Sequence, residues 1–336
     1  MFPSLLEQLR RREDLTAIQA AEVMGEIMDG RAEPAQIAGL LMALALKGER
    51  PAEIVGFARA MRARSLPLPA AVADVVDTCG TGGDGAETFN VSTAAAIVLA
   101  GAGVRVAKHG NRAVSSRAGS ADIFEAFGVN LEADSGRVHR ALIDVGLTFF
   151  FAPMWHPSMR HAGPVRRSLG VRTAFNLLGP LTNPAGATRQ VIGVPRPELT
   201  ELIARALAML GTERAWVVHG AGGLDELSTL GHTKVSEVRD GRVTAFYVHP
   251  SDAGLPVAER SALAGGTGAE NAALVGRILD GEKGARRDIV VFNAAAALVV
   301  AGRVSSLAEG AAVAAESLDS GRAARSLTGL RDALAS

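Results

Sequence analysis

Cysteine is almost absent from the chain. Cys79 is the only one in 336 residues, which excludes an intrachain disulfide framework and a cysteine-rich zinc site, and suits a reducing compartment. Net charge is also missing: Lys plus Arg and Asp plus Glu number 35 each, so no whole-protein field gathers nucleic acid or anionic membrane, and neither is expected as a partner. No apolar run approaches the roughly eighteen residues of a membrane span, and the first residues, MFPSLLEQLRRREDL, carry charge where a signal peptide needs its apolar stretch. A soluble, cytoplasmic protein is expected. Biased tracts, repeats and linkers are lacking too. What remains, 48% hydrophobic and 21% charged residues, is a globular composition that excludes global disorder. The length exceeds what one core usually supports, so two domains, or one large α/β domain with an appendage, are expected.

Apolar residues recur at three and four from Leu5 to about Arg64, with Thr16 placed to cap one helix, Pro34 to open the next and Gly48 to end it. The spacing predicts about four short helices and no strand. From about Ala73 strand and helix alternate: VADVV (72–76), STAAAIVLAGAG (92–103) and VRVAK (104–108) read as a βαβ unit. Further strands are expected at 147–151, 190–194 and 215–219, with an amphipathic helix over 197–210. Asp240-Gly241 predicts a hairpin turn. The last seventy or so residues read as mostly helical, with 293–300 apolar enough to be buried. The division expected is a small helical domain, 1–68, joined by helices from about 157–183, and a large α/β domain with a mostly parallel sheet, 69–336.

Acid is locally scarce. No Asp or Glu occurs from Thr88 to Ala121, which holds Arg105, Lys108, Arg112 and Arg117, nor from Val145 to Pro197, which holds Arg160, Arg166, Arg167, Arg172, Arg189 and Arg196. Such stretches point to an anionic ligand held between them. Buried Ala-rich helices also exclude acids, and the count does not separate phosphate from carboxylate. Gly80, Gly82, Gly83 and Gly85 follow a strand and precede a helix whose start is marked by Asn90, Ser92 and Thr93. Bare backbone and an open helix N-terminus make a phosphate cradle, although a sharp turn needs glycine for geometry alone. The acidic residue of a dinucleotide site is missing about twenty positions on, and Ala86-Glu87 replace the Lys-Ser/Thr of a Walker loop. A second strand-to-helix junction, residues 109–122, carries Asn111, Arg112, Ser115, Ser116 and Ser120 beside Lys108. Both junctions fall at the carboxyl edge of the predicted sheet, where open α/β sheets bind ligands.

Asp225 and Glu226 follow the strand at 215–219 through GAGGL. Adjacent acids there suit a hard cation that completes its shell with water and phosphate, although such a pair is more often a solvated turn. His156 and His161 are spaced five apart, off one helical face, and no HExxH occurs, so a zinc hydrolase is discounted.

The blocks GTGGDGAETFNVST (80–93), KHGNRAVSSRAGSAD (108–122), HPSMRHAGPVRRSLGVRTAFNLLGPLTNPA (156–185) and GLDE (223–226) resemble the anthranilate phosphoribosyltransferases, in order and over essentially the whole chain. The resemblance implies a fold like that of the pyrimidine nucleoside phosphorylases, a homodimer packed through the helical domains, and phosphoribosyl transfer from phosphoribosyl pyrophosphate (PRPP) to the amine of anthranilate in tryptophan biosynthesis. It implies donor contacts from Gly80, Gly83, Asp84, Thr88, Asn90, Val91, Ser92, Thr93, Lys108, Ser116 and Ser120. Anthranilate would meet Gly80, His109, Asn111 and Arg166, and Ser92, Asp225 and Glu226 would ligate Mg²⁺, two ions per monomer. Catalysis would be electrostatic and positional, through Lys108 and Arg166. Cys79, Glu87 and Arg117-Ala118 depart from the family's usual pattern. A nucleoside phosphorylase, a nucleic-acid-binding relative and a dinucleotide-dependent oxidoreductase are the rival readings.

Overall fold

The structure is a computed structural model and describes residues 1–113 and 117–335. Four helices come first: α1 (Phe2–Arg10), α2 (Ala17–Met28), α3 (Pro34–Lys47) and α4 (Pro51–Arg62). Their ends follow the local chemistry. Thr16 Oγ1 accepts from the Gln19 N–H at 3.2 Å while Gln19 Oε1 accepts from the Thr16 N–H at 2.9 Å, a reciprocal cap on α2. Pro34 opens α3, and Gly48, at φ +88°, stops it where a side chain would be strained.

The chain then alternates through β1 (Val75–Gly80), α5 (Val91–Gly101), β2 (Arg105–Gly110), α6 (Ser120–Ala126), α7 (Ser135–Asp144) and β3 (Leu147–Phe151). An excursion of short helices follows, α8 (Ala152–Trp155), α9 (Gly163–Leu169) and α10 (Phe175–Leu178), before β4 (Arg189–Gly193), α11 (Leu199–Met209) and β5 (Arg214–Gly220). β6 (Thr233–Arg239) and β7 (Arg242–Val248) form the hairpin, with Asp240 at φ +51° and Gly241 at φ +73° in its turn. Four helices close the chain: α12 (Gly268–Leu279), α13 (Ala285–Val300), α14 (Leu307–Asp319) and α15 (Arg322–Leu334).

Among the described residues seven strands lie in the order β3-β2-β1-β4-β5-β6-β7, parallel from β3 to β5, with β6 and β7 antiparallel. The crossover leaving β1 leads to β2 on one side, and the crossover leaving β4 leads to β5 on the other. The sheet therefore has its topological switch point between β1 and β4, where the carboxyl ends open a crevice. Alternation along the strands divides two apolar layers. Val191, Trp216 and Val218 face the layer of α5, α13, α14 and α15, whereas Ile192, Ala215 and Val217 face the layer of α11 and the N-terminal bundle. The helix over 285–300 is buried from Ile289 to Val300. Among the described residues no helix is long and apolar enough to cross a membrane.

Several boundaries differ from the sequence reading. β1 spans 75–80 rather than 72–76 because its polar end, Asp77 to Gly80, pairs in register with β4 residues 190–193. β2 likewise extends through His109 and Gly110 by pairing with Phe150 and Phe151. Tertiary pairing, not side-chain polarity, sets these ends.

Candidate active site

Gly80 and Gly193 are register partners at the carboxyl ends of β1 and β4, and the Leu224-Asp225-Glu226 segment crosses directly over them. A Cβ built on Gly80 would meet Asp225 Oδ2 at 2.6 Å, and one on Gly193 would lie 1.5 Å from the Asp225 carbonyl oxygen. Only bare backbone admits that segment. Asp225 Oδ2 accepts from the Gly82 N–H at 2.9 Å, and Glu226 Oε1 accepts from the Ser92 N–H at 3.1 Å. The two acids thus occupy N–H donors of the glycine turn and of the first turn of α5, the groups an anion would use. This explains a departure from the sequence reading. No side chain of Asn90, Ser92 or Thr93 caps α5, because Glu226 supplies the acceptor from across the site.

Burial raises the pKa of Asp225, and the neighbouring Asp84 carboxylate raises it further. Burial likewise raises Glu226, with Asp225 adding to the effect. Two crowded carboxylates with elevated affinity for protons are a ready cation site. Among the described residues no three His, Cys, Asp or Glu side chains form a metal cage. The donor set is instead two carboxylates next to the Ser92 hydroxyl, which suits a magnesium-like ion that keeps water and phosphate in its shell. Asn293, buried on α13, fixes the segment: its Oδ1 accepts from the Leu227 N–H at 2.9 Å and its Nδ2 donates to the Leu227 carbonyl at 2.8 Å.

Lys108, only 1% exposed, sits at the end of β2. Its ammonium donates to the Thr78 carbonyl and lies 3.4 Å from Ser92 Oγ, between β1 and the start of α5. Asp77 is fully buried nearby. Its carboxyl accepts from the His109 N–H at 3.2 Å and from Asn183 Nδ2 at 2.8 Å. Burial pushes Asp77 up to about 6, with Lys108 pulling the other way. His109 donates from Nδ1 to the Gly179 carbonyl at 3.0 Å, and its Nε2 is buried without a partner. Burial, then the His156 ring 5.1 Å away, holds His109 down at about 3, so it is a neutral imidazole at physiological pH.

The remaining candidates divide. Gly83 and Gly85 take φ of +79° and +65° in the turn, and Asp84 Oδ1 accepts from the Ala86 N–H at 3.1 Å. Thr88 bridges to Ala264, and Thr93 is buried with its hydroxyl unpartnered. Val91 is a core residue whose N–H donates to the Phe89 carbonyl at 2.8 Å. The Asn90 amide bridges two other segments, donating to the Ala118 carbonyl and accepting from Asn271 Nδ2, both at 3.0 Å. Ser120 begins α6, its hydroxyl 2.0 Å from where a Gly110 Cβ would be. Asn111 is exposed at the loop mouth, its Oδ1 accepting from the Arg112 N–H at 2.7 Å. Ser116 lies outside the described residues. Arg166, on α9, stacks 5.1 Å from the Phe175 ring centroid, and burial lowers its pKa.

The acid-free stretches prove less free in space. Arg112 pairs with Glu125 at 2.7 Å and Asp122 at 3.0 Å, Arg189 with Glu213, and Arg196 with Glu198 at 3.4 Å. Arg166 and Arg172 have no carboxylate within ion-pair distance among the described residues. Gly193 is the residue whose part in the site went unread. The glycine ending QVIG is visible in the sequence, but the backbone it admits lies far along the chain. Gly193→Ala is expected to displace Asp225 and cost about 1–3 kcal/mol of stability, as overpacking does. Turnover should fall about a hundredfold with a raised metal requirement, since misplacing a catalytic group by an ångström costs that much. Metal-titrated kinetics alongside a melting curve check both.

A glycine turn and an acid pair meet at the switch point of a parallel sheet, with a helical bundle beside them, and the family models place this architecture among the glycosyl transferases. Residues 72–324 match the family described as "Glycosyl transferase family, a/b domain", and residues 3–65 match its "helical bundle domain" counterpart. An anthranilate phosphoribosyltransferase from Symbiobacterium thermophilum is 53% identical over 329 residues, 98% of this chain and 96% of that protein. The chain belongs to the anthranilate phosphoribosyltransferase family. The crystal structure of the Thermus thermophilus member superimposes with a TM-score of 0.93 at 49% identity, covering 98% of this chain and 99% of that one. The Saccharomyces cerevisiae member in complex with PRPP and Mg has a TM-score of 0.91 at 29% identity, over 99% and 97% of the two chains. In complex with 4-fluoroanthranilate its TM-score is 0.87 at 28% identity, over 99% and 98%.

Proposed function

We propose that the chain transfers the phosphoribosyl group of PRPP to the amine of anthranilate, giving N-(5-phosphoribosyl)anthranilate and pyrophosphate, in tryptophan biosynthesis. The observation that carries this reading is the glycine turn closed by Asp225 and Glu226 at the β1–β4 crevice, in a chain about half identical to named members of the family. Gly80, Gly83, Asp84 and Thr88 cradle the donor with the N-terminal end of α5, where Asn90, Val91, Ser92 and Thr93 lie. Lys108, Ser116 and Ser120 complete the cradle. Asp225, Glu226 and Ser92 would hold Mg²⁺, two ions per monomer, which when bound would supply positive charge to the pyrophosphate.

In the reaction the amine nitrogen bonds to C1 of the ribose, the bond from C1 to the pyrophosphate oxygen breaks, and the amine's proton passes to solvent water. Negative charge grows on the leaving oxygens as positive charge spreads over the ribose. Lys108, which donates to the Thr78 carbonyl, and the Gly82 N–H, held by Asp225, meet the first by exchanging those contacts for the leaving oxygens. An aromatic amine is neutral near pH 7, so no strong base is needed to activate it, and neutral His109 suits an acceptor wall better than a cation would. Arg166 and Asn111 take the anthranilate carboxylate, which makes the chemistry chiefly one of positioning.

The small domain, 1–68, takes in the helices of about 157–183. Support comes from α9, which packs against α3, and from Val165, Leu177 and Leu178, which share the bundle's apolar cluster. A homodimer through this domain is supported by Ile18 and Leu46, 72% and 75% exposed on α2 and α3.

Anthranilate fluorescence should decay on mixing the protein with PRPP and Mg²⁺, and only when all three are present. No decay, with PRPP still binding, would move the acceptor to another molecule. Arg166→Ala is expected to raise the anthranilate KM about 30-fold, the loss of one charge-assisted pair, while changing PRPP affinity by less than about threefold. Equal losses for both substrates in calorimetry would sink that division of labour.

A further inference from the structure

A second arginine of the acid-free segment has no role in the proposed reaction so far. Arg172 lies on the connection between α9 and α10, six residues beyond Arg166, and reaches the glycine turn. Its Nη1 donates to the Gly82 carbonyl at 2.8 Å. A Cβ on Gly83 would lie 1.5 Å from that nitrogen, so the guanidinium rests on bare backbone and Gly83 is required for more than its positive φ. No carboxylate lies within ion-pair distance of Arg172 among the described residues, and the charges facing it are attractive Asp225 and Asp84 and repulsive Arg196. Its one hydrogen bond leaves the rest of a five-donor fork uncommitted to any acceptor among the described residues. The side chain is exposed, at the mouth of the crevice, whereas Lys108 is buried between β1 and α5.

We propose that Arg172 is a further substrate-binding residue that contacts the pyrophosphate of the donor over the glycine turn. The inference rests on the reading of the turn as the PRPP site and adds to it a residue from the bundle side. A planar guanidinium suits phosphate oxygens through paired N–H bonds, which a buried ammonium serves only as a point charge. Asp84 and Asp225 hold it over the turn by charge, and an incoming polyphosphate with its cation offers it stronger acceptors. The competing account is a plain clamp on the Gly82 carbonyl. Arg172→Gln separates the two, since glutamine keeps a donor for that carbonyl and removes the charge.

The test is calorimetry of PRPP, and separately of inorganic pyrophosphate, each with Mg²⁺, on wild-type protein and on Arg172→Ala, Arg172→Gln and Arg172→Lys. Steady-state KM values for both substrates and melting temperatures accompany it. Both phosphate ligands are expected to weaken about 30-fold in the Ala and Gln variants, the loss of hydrogen bonds to a charged partner. Lysine should restore part of that, and the anthranilate KM should stay within about threefold. Wild-type affinity in Arg172→Gln, or equal loss for both substrates, overturns the inference and leaves a clamp. If the wild-type protein binds neither PRPP nor pyrophosphate, the donor site itself is misassigned and the inference falls with it.

Discussion

Replacing Asp225 by Asn together with Glu226 by Gln is expected to cut turnover about a thousandfold, the loss of preorganised charge stabilisation at the leaving group. The metal-free protein should meanwhile become more resistant to heat near neutral pH. Both effects follow from one observation: burial raises the folded pKa of both carboxylates, with Asp84 raising both further and Asp225 adding to Glu226. An acid whose folded pKa lies above its unfolded value binds more protons in the folded state across the interval between them. Stability therefore falls as pH rises from the ordinary carboxylate range into neutrality. The amides carry no such penalty, and the bonds donated by the Gly82 and Ser92 N–H groups can persist to the amide oxygens. Melting curves of wild type and double variant from about pH 5 to 8 should diverge upward with pH, and Mg²⁺ should close the gap by stabilising only the wild type. Parallel curves would remove the charge penalty, and a Mg²⁺-induced shift retained in the variant would place the metal elsewhere.

Lys108→Met is expected to reduce kcat by about two to three orders of magnitude, comparable with removing one preorganised donor from a transition state. Its second effect reaches deeper. Lys108 is the charge that opposes the burial penalty on Asp77, and without it the Asp77 carboxyl must rise further above the ordinary range. The variant should lose stability with rising pH more steeply than wild type across neutrality, by at most about 1.4 kcal/mol per pH unit for one proton. Adding Asp77→Asn should flatten that slope and leave activity low. Recovery of activity in the double variant would mean that Lys108 serves only as a counter-ion and not as a partner of the leaving group.

What was legible in the sequence was local. The turn Gly80–Gly85 declared itself because strand, glycines and helix are contiguous, and the hairpin did so through Asp240-Gly241. The acid pair could be placed at a carboxyl edge, but its hold on the Gly82 and Ser92 N–H groups could not, because those donors lie in a distant part of the chain. For the same reason Arg112 and Arg189 read as available for an anion while acids from outside their stretches neutralise them. Asn90 read as marking the start of α5, whereas its amide caps nothing and spans to Ala118 and Asn271. Strand ends were misplaced wherever polar residues, as in Asp77 to Gly80, continue a strand by pairing with β4. Spacing reports what neighbours in sequence can do, and the site is assembled from neighbours in space.

The excursion between β3 and β4 bears on how the molecule is made. Val165, Phe175, Leu178 and Leu181 complete the apolar cluster begun by α1 to α4, and Ile203 and Leu207 of α11 cover it from the sheet side. When the first four helices leave the ribosome, none of these partners has been synthesised. They must wait, with apolar faces uncovered, until much of the sheet has been translated. The bundle is thus translated before the residues that complete its apolar cluster and reaches its final packing only after α11 has been made.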